Sequence, residues 1–364
     1  MFQCSNHPHP EQPPSGGVSK DVPAAPTFPS KTRPAAVRAR LGSRRWVVAA
    51  LGVAFAFAAA PAGAADPLIL TATPVRVAAG TVIAGPGGRL TFRGGLILRS
   101  RDRRFGGLSG LAVSADGATL LAVSNAGWWL SGRLIHDADG VLTGLADMAI
   151  AGIRGPDGAP TRGKSQSDAE GLARAPDGGY VVSLESPHRL WRYPPGDAPW
   201  DSTPEVLALP EDLSARGNAG VEALGYLGDG RLLVLCEGCR AGGDLRGWAM
   251  NGEWRALAYP HDGFHRPSDL AVLSDGRVLV LERGFSLWRG IDARLMWAAP
   301  ESLGPDRRAR LDLIATIEQS ELLDNFEGLA ARPGPNGETL IYLVSDNNFS
   351  PLQQTLLLHF ELSP

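Results

Sequence analysis

Short runs of alternating apolar and polar residues, separated by Asp-Gly or Asn-Gly pairs, dominate the chain from residue 68 onwards. The clearest unit spans residues 167–185, in which two apolar segments flank Asp177-Gly178. The alternation predicts two β-strands, and the Asp-Gly pair supplies the positive φ that a tight hairpin turn needs. Because the strands of a hairpin run antiparallel, we expect Glu170 and Glu185 to meet at the end opposite the turn.

The same hairpin occurs five times along the chain. Successive copies begin 61, 52, 46 and 59 residues apart, at Ser109, Glu170, Glu222, Ser268 and Glu327. In the first four copies the turn aspartate follows the first residue by seven positions, and the fifth copy carries a two-residue insertion. A repeat of roughly fifty residues built from short strands is typical of a β-propeller. The sequence therefore predicts an all-β protein without convincing amphipathic helices.

Two further apolar strands follow each of the first four hairpins, which gives four strands to a blade. They are predicted at residues 129–135 and 142–150, 189–193 and 205–209, 244–250 and 254–259, and 295–298 and 311–317. The fifth repeat has three strands, and residues 90–98 are expected to supply its fourth. That pairing of the N- and C-terminal strands closes the ring and removes open sheet edges. Five blades are favoured, and an additional strand at residues 68–77 leaves six possible.

The N-terminal 65 residues are predicted to be an extension and signal peptide, and residues 66–364 a single propeller domain. Ser43-Arg44-Arg45 precedes an apolar run at residues 46–60 and a small-residue cleavage site, with cleavage after Ala64 or Ala65. We expect export to the periplasm or secretion, by the Sec or the twin-arginine route. A membrane-anchoring helix is the alternative, but the run is short for a span, so no stable membrane span is expected after processing.

The charge of residues 66–364 narrows the possible partners. These residues hold 28 basic and 36 acidic side chains, a formal net charge of −8, and Lys164 is their only lysine. This balance argues against nucleic-acid binding, which depends on neutralising phosphates with lysine and arginine. Cys236 and Cys239 follow an apolar strand and precede a Gly-rich loop, a context that favours a local disulfide in an oxidising compartment over a redox or zinc site.

Carboxylates concentrate at the first and last positions of the five hairpins, and the hairpin geometry places these positions around one mouth of the central channel. Left bare, so many like charges would repel one another strongly. They are expected to bind a divalent cation, with calcium favoured for its flexible oxygen coordination, to tie neighbouring blades together through backbone amides, or to act directly in acid–base catalysis. The candidate catalytic residues are Glu170, Glu222 and Glu327. The candidate metal ligands are Glu170, Glu185, Glu222, Glu237, Glu282, Glu327 and Asp346.

Arginines near the same mouth are candidates for substrate binding, because a guanidinium group recognises phosphate or carboxylate bidentately. The set is Arg189, Arg266 and Arg283. Each of them alone is more often a surface or ion-pairing residue. No Gly-x-Ser-x-Gly nucleophile motif occurs in the sequence.

Five stretches of the chain resemble the phytase-like β-propeller family, which is often described as having esterase-like activity. They are Phe105-Gly-Gly-Leu-Ser-Gly-Leu, Ser167-Asp-Ala-Glu-Gly-Leu, Arg266-Pro-Ser-Asp-Leu, Asn325-Phe-Glu-Gly-Leu and Ser345-Asp-Asn-Asn-Phe349. The resemblance extends from about residue 90 to the end of the chain. It implies ester hydrolysis, with phosphoesters favoured, and acidic side chains that hold calcium as in the true propeller phytases. The catalytic residues of those phytases have no matching motif in this sequence.

The residues and the resemblance together predict an exported, metal-dependent hydrolase of phosphate or carboxylic esters that acts as a monomer on a small-molecule ester. Metal ions of this kind polarise the ester oxygen and activate water near neutral pH. Two alternatives stay open. One is a non-catalytic propeller that binds a ligand or a partner in the cell envelope, and the other is a lactonase-type propeller.

Overall fold

The alternating segments form strands throughout the computed structural model, which describes residues 64–215, 217, 219–286, 288 and 290–363. The predicted signal peptide and its apolar run lie outside these residues. Among the described residues, no helix has the length and apolar character needed to cross a membrane. The strands form five antiparallel sheets arranged as a five-bladed β-propeller, as the repeats predict.

The N-terminal strands belong to two different blades. The chain begins with β1 (Asp66–Pro67), β2 (Leu70–Pro74), β3 (Val82–Gly85) and β4 (Gly88–Ser100). Blade 1 follows with β5 (Leu108–Val113), β6 (Thr119–Ser124), β7 (Trp128–His136) and β8 (Leu142–Gly152), and β1 is added at its outer edge.

Blades 2 and 3 follow a connection that contains one turn of helix, α1 (Lys164–Ser167). Blade 2 comprises β9 (Ala169–Arg174), β10 (Tyr180–Leu184), β11 (Arg189–Tyr193) and β12 (Glu205–Leu207), with a 3-10 turn at Pro199–Asp201. Blade 3 comprises β13 (Val221–Tyr226), β14 (Leu232–Ala241), β15 (Asp244–Asn251) and β16 (Glu253–Tyr259). The expected disulfide joins Cys236 to Cys239 in β14.

Blades 4 and 5 complete the ring. Blade 4 comprises β17 (His265–Val272), β18 (Val278–Ser286), β19 (Gly290–Ala298) and β20 (Leu311–Ile317), with a 3-10 turn at Pro300–Ser302. The C-terminal strands of blade 5 are β21 (Phe326–Pro333), β22 (Thr339–Ser345) and β23 (Thr355–Ser363).

Blade 5 is closed by the predicted pairing of the two ends of the domain. Strand β23 pairs antiparallel with β4, with Leu357 opposite Leu96. Strand β2, which corresponds to the additional strand at residues 68–77, pairs with the other edge of β4. It therefore widens blade 5 and does not start a sixth blade. The ends of the chain cover the sheet edges that an open ring would expose.

The core lies between the faces of neighbouring blades. Trp129 of blade 1 packs edge-to-face against Tyr193 of blade 2, with ring centroids 5.2 Å apart. Within blade 5, Phe92 and Phe360 pack in the same manner across the closing pair of strands. All four rings are almost completely buried. This packing holds the innermost strands β5, β9, β13, β17 and β21 side by side around the axis.

Each innermost strand contains a β-bulge, and in every blade the extra residue is the first residue of the sequence repeat. The pairing register shifts at Ser109, Glu170, Glu222, Ser268 and Glu327. A bulge places two residues opposite one on the partner strand and re-aims the side chain of the extra residue. The repeat position was identified from its spacing, and the bulge is the structural feature behind it.

Two of the five bulge residues tie neighbouring blades together. The hydroxyl of Ser109 donates to the carbonyl oxygen of Ala169 at 2.5 Å, and the hydroxyl of Ser268 donates to that of Phe326 at 3.1 Å. Asp269 adds a third link, because its carboxylate accepts the amide of Leu329 in the next blade at 2.6 Å. The sequence predicted that acids would tie blades together through backbone amides, and Asp269 and Glu185, which accepts the amide of Gly220 at the start of blade 3, make this contact, while the two serines bond carbonyl oxygens instead.

Removing the Asp269 carboxylate should destabilise the ring. In Asp269→Ala the buried amide of Leu329 loses its acceptor, and a buried donor without a partner costs about 1–3 kcal/mol. Urea unfolding followed by tryptophan fluorescence measures the change. Asp312→Ala, at an exposed position on β20, is the matched control and should change the free energy of unfolding by less than about 0.5 kcal/mol. Equal effects of the two variants would contradict the link.

Candidate functional site

A cavity of about 700 Å³ opens where the five innermost hairpins converge. Every blade contributes to its wall, through Asn125, Glu170, Glu222, Arg283 and Glu327 in blade order. The mouth predicted from the hairpin geometry is therefore present. The other charged groups in the wall are Lys164 from α1, Asp324 and Asp346.

The three glutamates at bulge positions face this cavity and make no link to the backbone of the next blade of the kind the serines make. Glu170, Glu222 and Glu327 are each more than nine-tenths buried. Burial raises the pKa of Glu170 and of Glu222 well above the usual range, and neighbouring carboxylates raise both further. The predicted catalytic residues are thus brought together as a group of strongly perturbed acids, which is a common property of active sites.

Arg283 lies between two of these glutamates. Its Nη2 atom is 3.3 Å from Glu327 Oε1 and 3.7 Å from Glu222 Oε2, and its Nη1 atom donates to Asn325 Oδ1 at 3.0 Å. Burial acts to lower the pKa of Arg283, but the carboxylates of Glu327, Glu222 and Glu237 outweigh it, so the pKa is raised and the group stays charged.

Glu327 is the glutamate that is best stabilised as an anion. Its Oε1 atom accepts a hydrogen bond from Asn325 Nδ2 at 2.7 Å. Burial raises the pKa of Glu327, while Arg283 and Asn325 both act to lower it. Glu222 has only the longer contact with Arg283, and Glu237 raises its pKa further. The two carboxylates on either side of Arg283 therefore differ in their affinity for a proton.

A second group of acids lies at the start of blade 2. Asp168, Glu170 and Glu185 are all buried, and each offers a carboxylate oxygen within 4.8 Å of those of the other two. Neither oxygen of Asp168 accepts a hydrogen bond, and neither does Oε2 of Glu185. The other oxygen of Glu185 accepts the amide of Gly220. Lys164 places its ammonium 3.4 Å from Asp168 Oδ1.

This acidic trio, Asp168, Glu170 and Glu185, fits a hard divalent cation. Its donors are carboxylate oxygens, as calcium prefers, and three buried oxygens accept no hydrogen bond from the protein. Buried polar atoms without partners are rare and call for an explanation. Burial raises the pKa of Glu185 to about 7, with further contributions from Asp168 and Glu237 and an opposing one from the amide of Gly220.

Asp346 lines the cavity on the side of blade 5. It accepts hydrogen bonds from the Asn125 side chain at 2.8 Å and from the Asn348 amide at 2.5 Å. Burial raises the pKa of Asp346 to about 7, and Glu327 adds to this effect. Its oxygens are therefore engaged by the protein, in contrast to those of Asp168.

Five residues predicted for the site lie outside the cavity wall, namely Glu185 of the acidic trio and the four that follow. Glu282 is bound by Tyr259 at 2.7 Å and by Arg294 at 2.5 Å. Glu237 accepts a hydrogen bond from Arg266 at 3.4 Å, so these two predicted site residues are partners of each other. Arg189 donates to the backbone carbonyl groups of Pro187 and Glu185, both at 2.9 Å. Of the three predicted substrate-binding arginines, Arg283 is the one in the wall.

Asp168 and Asn325 belong to the site, but the sequence did not predict them because neither is the first or last residue of a hairpin. Both stand two residues before a bulge glutamate, and the carbonyl oxygen of each accepts the amide of the last residue of its hairpin, Glu185 and Asp346 respectively. The repeat contains the signal that could have found them. In blades 2 and 5 this backbone hydrogen bond holds the position opposite the last residue of the hairpin at the mouth.

Stability should fall as the pH rises when no divalent cation is present. Glu185 and Asp346 have pKa values raised to about 7, so their contribution is complete below about pH 4.5 and is lost as the pH rises through 7. Each group changes the free energy of unfolding by at most about 1.4 kcal/mol per pH unit. Urea unfolding between pH 5 and pH 8 in EGTA measures the slope.

Glu185→Gln removes one of these titrating groups and should make the slope shallower. Glu205→Gln, at an exposed position on β12, should leave the slope as in the wild type. A wild-type stability that is constant or rises between pH 5 and pH 8, or a Glu185→Gln slope equal to that of the wild type, would contradict the assignment.

Comparison with solved structures gives matches of low sequence identity. An α-L-arabinofuranosidase from Podospora anserina, solved with cellotriose, is 10% identical with a TM-score of 0.46, covering 82% of this chain and 98% of its own. The PQQ-bound aldose sugar dehydrogenase of Streptomyces coelicolor is 14% identical with a TM-score of 0.41, covering 82% and 99%. A gluconolactonase from Xanthomonas campestris is 13% identical with a TM-score of 0.39, covering 84% and 99%.

A search of curated proteins gives no match. A protein-family model does match, over residues 103–349, and its description is phytase-like, esterase-like activity of phytase. The matched segment starts just before the first hairpin and ends just after the last, so it contains all five bulge positions and the whole acidic trio. The chain therefore belongs to the phytase-like family described by esterase-like activity of phytase.

Proposed function

We propose that this propeller is an exported, metal-dependent hydrolase of phosphate or carboxylic esters that acts on small molecules at the acidic cavity. The observation that carries the proposal is that two groups of acids meet at the cavity, where Glu170 is the member of the acidic trio that lines the wall. The acidic trio offers buried oxygens that accept no hydrogen bond. Beside it, Arg283 holds Glu222 and Glu327, two acids with different proton affinities.

The acidic trio would hold the divalent cation, with calcium favoured by its all-oxygen donor set. When bound, the cation supplies polarisation of the ester oxygen and stabilises the charge that develops there. Lys164 serves the same carboxylates as a counter-charge, with its ammonium 3.4 Å from Asp168. Cation binding therefore requires this long and half-exposed side chain to turn away from the trio.

Proton transfer falls to the pair around Arg283. Glu327, whose anion Arg283 and Asn325 stabilise, takes a proton from water as the water oxygen bonds to the acyl or phosphoryl centre. Glu222, whose pKa is raised further, gives a proton to the alcohol oxygen as the ester bond breaks. The products are an acid and an alcohol, and the two glutamates exchange protons with solvent to reset. Two carboxyl groups whose environments separate their pKa values can divide the acid and base roles in this way.

Export is supported by two independent features. The apolar run at residues 46–60, followed by a small-residue cleavage site, has the form of a signal peptide. The Cys236–Cys239 disulfide suits an oxidising compartment such as the periplasm or the cell exterior. Millimolar calcium, which a site of moderate affinity requires, is also an extracellular condition.

Calcium binding should depend on the acidic trio and not on Glu327. We expect Glu170→Gln to weaken calcium binding by at least roughly tenfold, since it removes a ligand. Glu327→Gln should leave the affinity within about threefold of the wild type. Isothermal titration calorimetry in chelator-treated buffer measures both. Absence of calcium binding in the wild type, or equal losses in the two variants, would overturn the metal site.

Hydrolysis should depend on Glu327 as the general base. Glu327→Gln preserves the shape and the acceptor for Asn325 but removes proton uptake, so kcat should fall by about 10²- to 10⁴-fold. The assay uses calcium-loaded protein with phosphomonoesters, phytate, carboxylic esters and lactones. Full activity of this variant would exclude the assigned role. Calcium binding without turnover on the whole panel would favour the non-catalytic binding propeller.

A further inference from the structure

Exposed apolar side chains gather at the rim of the acidic cavity. Phe285 and Leu352 line the cavity wall, yet they are 69% and 92% exposed. Trp288 is 96% exposed and stands in the turn between Phe285 and Gly290, both of which line the wall. Phe349 is half exposed and follows Asn348, another residue of the wall. Phe285, Trp288, Phe349 and Leu352 are named the apolar rim below.

The apolar rim is concentrated on one side of the mouth. Elsewhere in the described residues, the large exposed apolar side chains stand singly: Ile69 between β1 and β2, Val82 on β3 and Val206 on β12. Single exposed apolar residues are ordinary, whereas a group beside a cavity marks a binding surface. The structure also makes room for the rim. A Cβ atom built on Gly106 or Gly107 would lie 3.0 or 2.8 Å from the Phe349 ring, so only glycine lets this ring lie against blade 1.

The charges inside the cavity oppose an anionic ligand. Five acids line the wall against two basic groups, Lys164 and Arg283. Both basic groups already have carboxylate partners, Asp168 for the lysine and Glu222 with Glu327 for the arginine. Among the described residues of the wall, no cation is left without a carboxylate partner. The side chains of the wall therefore repel a phosphate dianion, and only the cation proposed for the acidic trio would attract it, whereas an uncharged ester meets no such repulsion.

We propose that the preferred substrates are uncharged carboxylic esters that carry an apolar acyl chain, and that the apolar rim binds this chain while the ester group lies in the cavity. This inference rests on the proposed function, because it names the substrate class of the same site. The rim gives apolar contact area on the blade 4 and blade 5 side, and the uncharged ester avoids repulsion by the wall. A phosphomonoester without an apolar chain satisfies neither condition.

The test compares p-nitrophenyl acetate, butyrate and hexanoate with p-nitrophenyl phosphate, using the calcium-loaded full chain. A buried methylene contributes roughly a fourfold gain, and a partly open rim should retain enough of this for kcat/KM to rise about tenfold from acetate to hexanoate. The phosphate ester should be the poorest substrate. In Phe285→Ala/Leu352→Ala the chain-length gain should shrink to about twofold, through a higher KM for the hexanoate.

Ile69→Ala/Val206→Ala removes the same kind of exposed apolar surface away from the mouth and is the matched control, expected to keep the tenfold gain. A flat dependence on chain length in the wild type, or a preference for the phosphate ester, would overturn the inference. Rim-dependent binding to phosphatidylcholine vesicles with no chain-length effect would assign the rim to a lipid surface and would also overturn it.

A binding series separates failure of the inference from failure of the proposed function. N-Methylacetamide, N-methylbutanamide and N-methylhexanamide carry the same acyl chains as the esters on an amide bond, and their affinities follow from quenching of tryptophan fluorescence. A chain-length gain that disappears in Phe285→Ala/Leu352→Ala, together with no hydrolysis of any ester, would support the rim and reject the hydrolase. Hydrolysis without any chain-length gain in either series would keep the hydrolase and reject the rim.

Discussion

The cavity is organised by a single constraint, which is the convergence of five innermost strands on one axis. Five strands that converge on one axis cannot all continue their hydrogen-bond ladders to the end of the strand. Each of them contains a β-bulge at the same repeat position. The bulge re-aims one side chain per blade at the mouth. The chemistry of the site therefore depends on which residue type occupies five equivalent positions.

Of the five bulge residues, the two serines link neighbouring blades and the three glutamates supply acids to the cavity. Ser109 and Ser268 are short enough to reach a carbonyl oxygen in the next blade and satisfy it. Glu170, Glu222 and Glu327 are longer and acidic, and they extend into the cavity, where burial and mutual repulsion raise their pKa values. A ring with five glutamates would crowd more charge into the mouth, and a ring with five serines would have no acids. Serines and glutamates together at the bulge positions therefore both tie the ring and place acids at the mouth of the cavity.

Much of this could be predicted from the sequence, because hairpin geometry is local. The spacing of turn and strand residues indicated the five blades, the closing strand at residues 90–98 and the convergence of Glu170, Glu222 and Glu327. The direction of a side chain at the end of a strand is not local. Glu282 was predicted as the counterpart of Glu185, but it comes 14 residues after its bulge residue, whereas Glu185 comes 15 after its own. Glu282 therefore pairs with Pro267, the residue before the bulge, and Arg283 takes the equivalent position at the mouth. The partners of Glu282, Tyr259 and Arg294, lie on other strands, and no local pattern identifies them.

The additional strand shows the same limit at the level of the fold. Its pattern predicted a strand correctly, but whether it begins a sixth blade or extends the fifth depends on which edge is left unpaired. Strand β4 uses one edge for β23, while β3 pairs with its first residues, and the rest of that other edge, from Leu96 to Ser100, would be unpaired without β2. Edge protection, which is a property of the closed ring, therefore decides the blade number.

The contacts of Arg283 explain both the electrostatics of the cavity and the importance of the apolar rim. An arginine that faced the cavity without partners would attract anions of every kind. Here Glu222, Glu327 and Asn325 surround it, so its charge serves to set the proton affinities of two acids. Arg283 therefore acts on the electrostatics within the site. In the function proposed above, substrate recognition comes from the cation held by the acidic trio and from apolar contact with the rim. Those two forces act on different parts of a molecule, a carbonyl oxygen and a hydrocarbon chain, and an uncharged ester presents both.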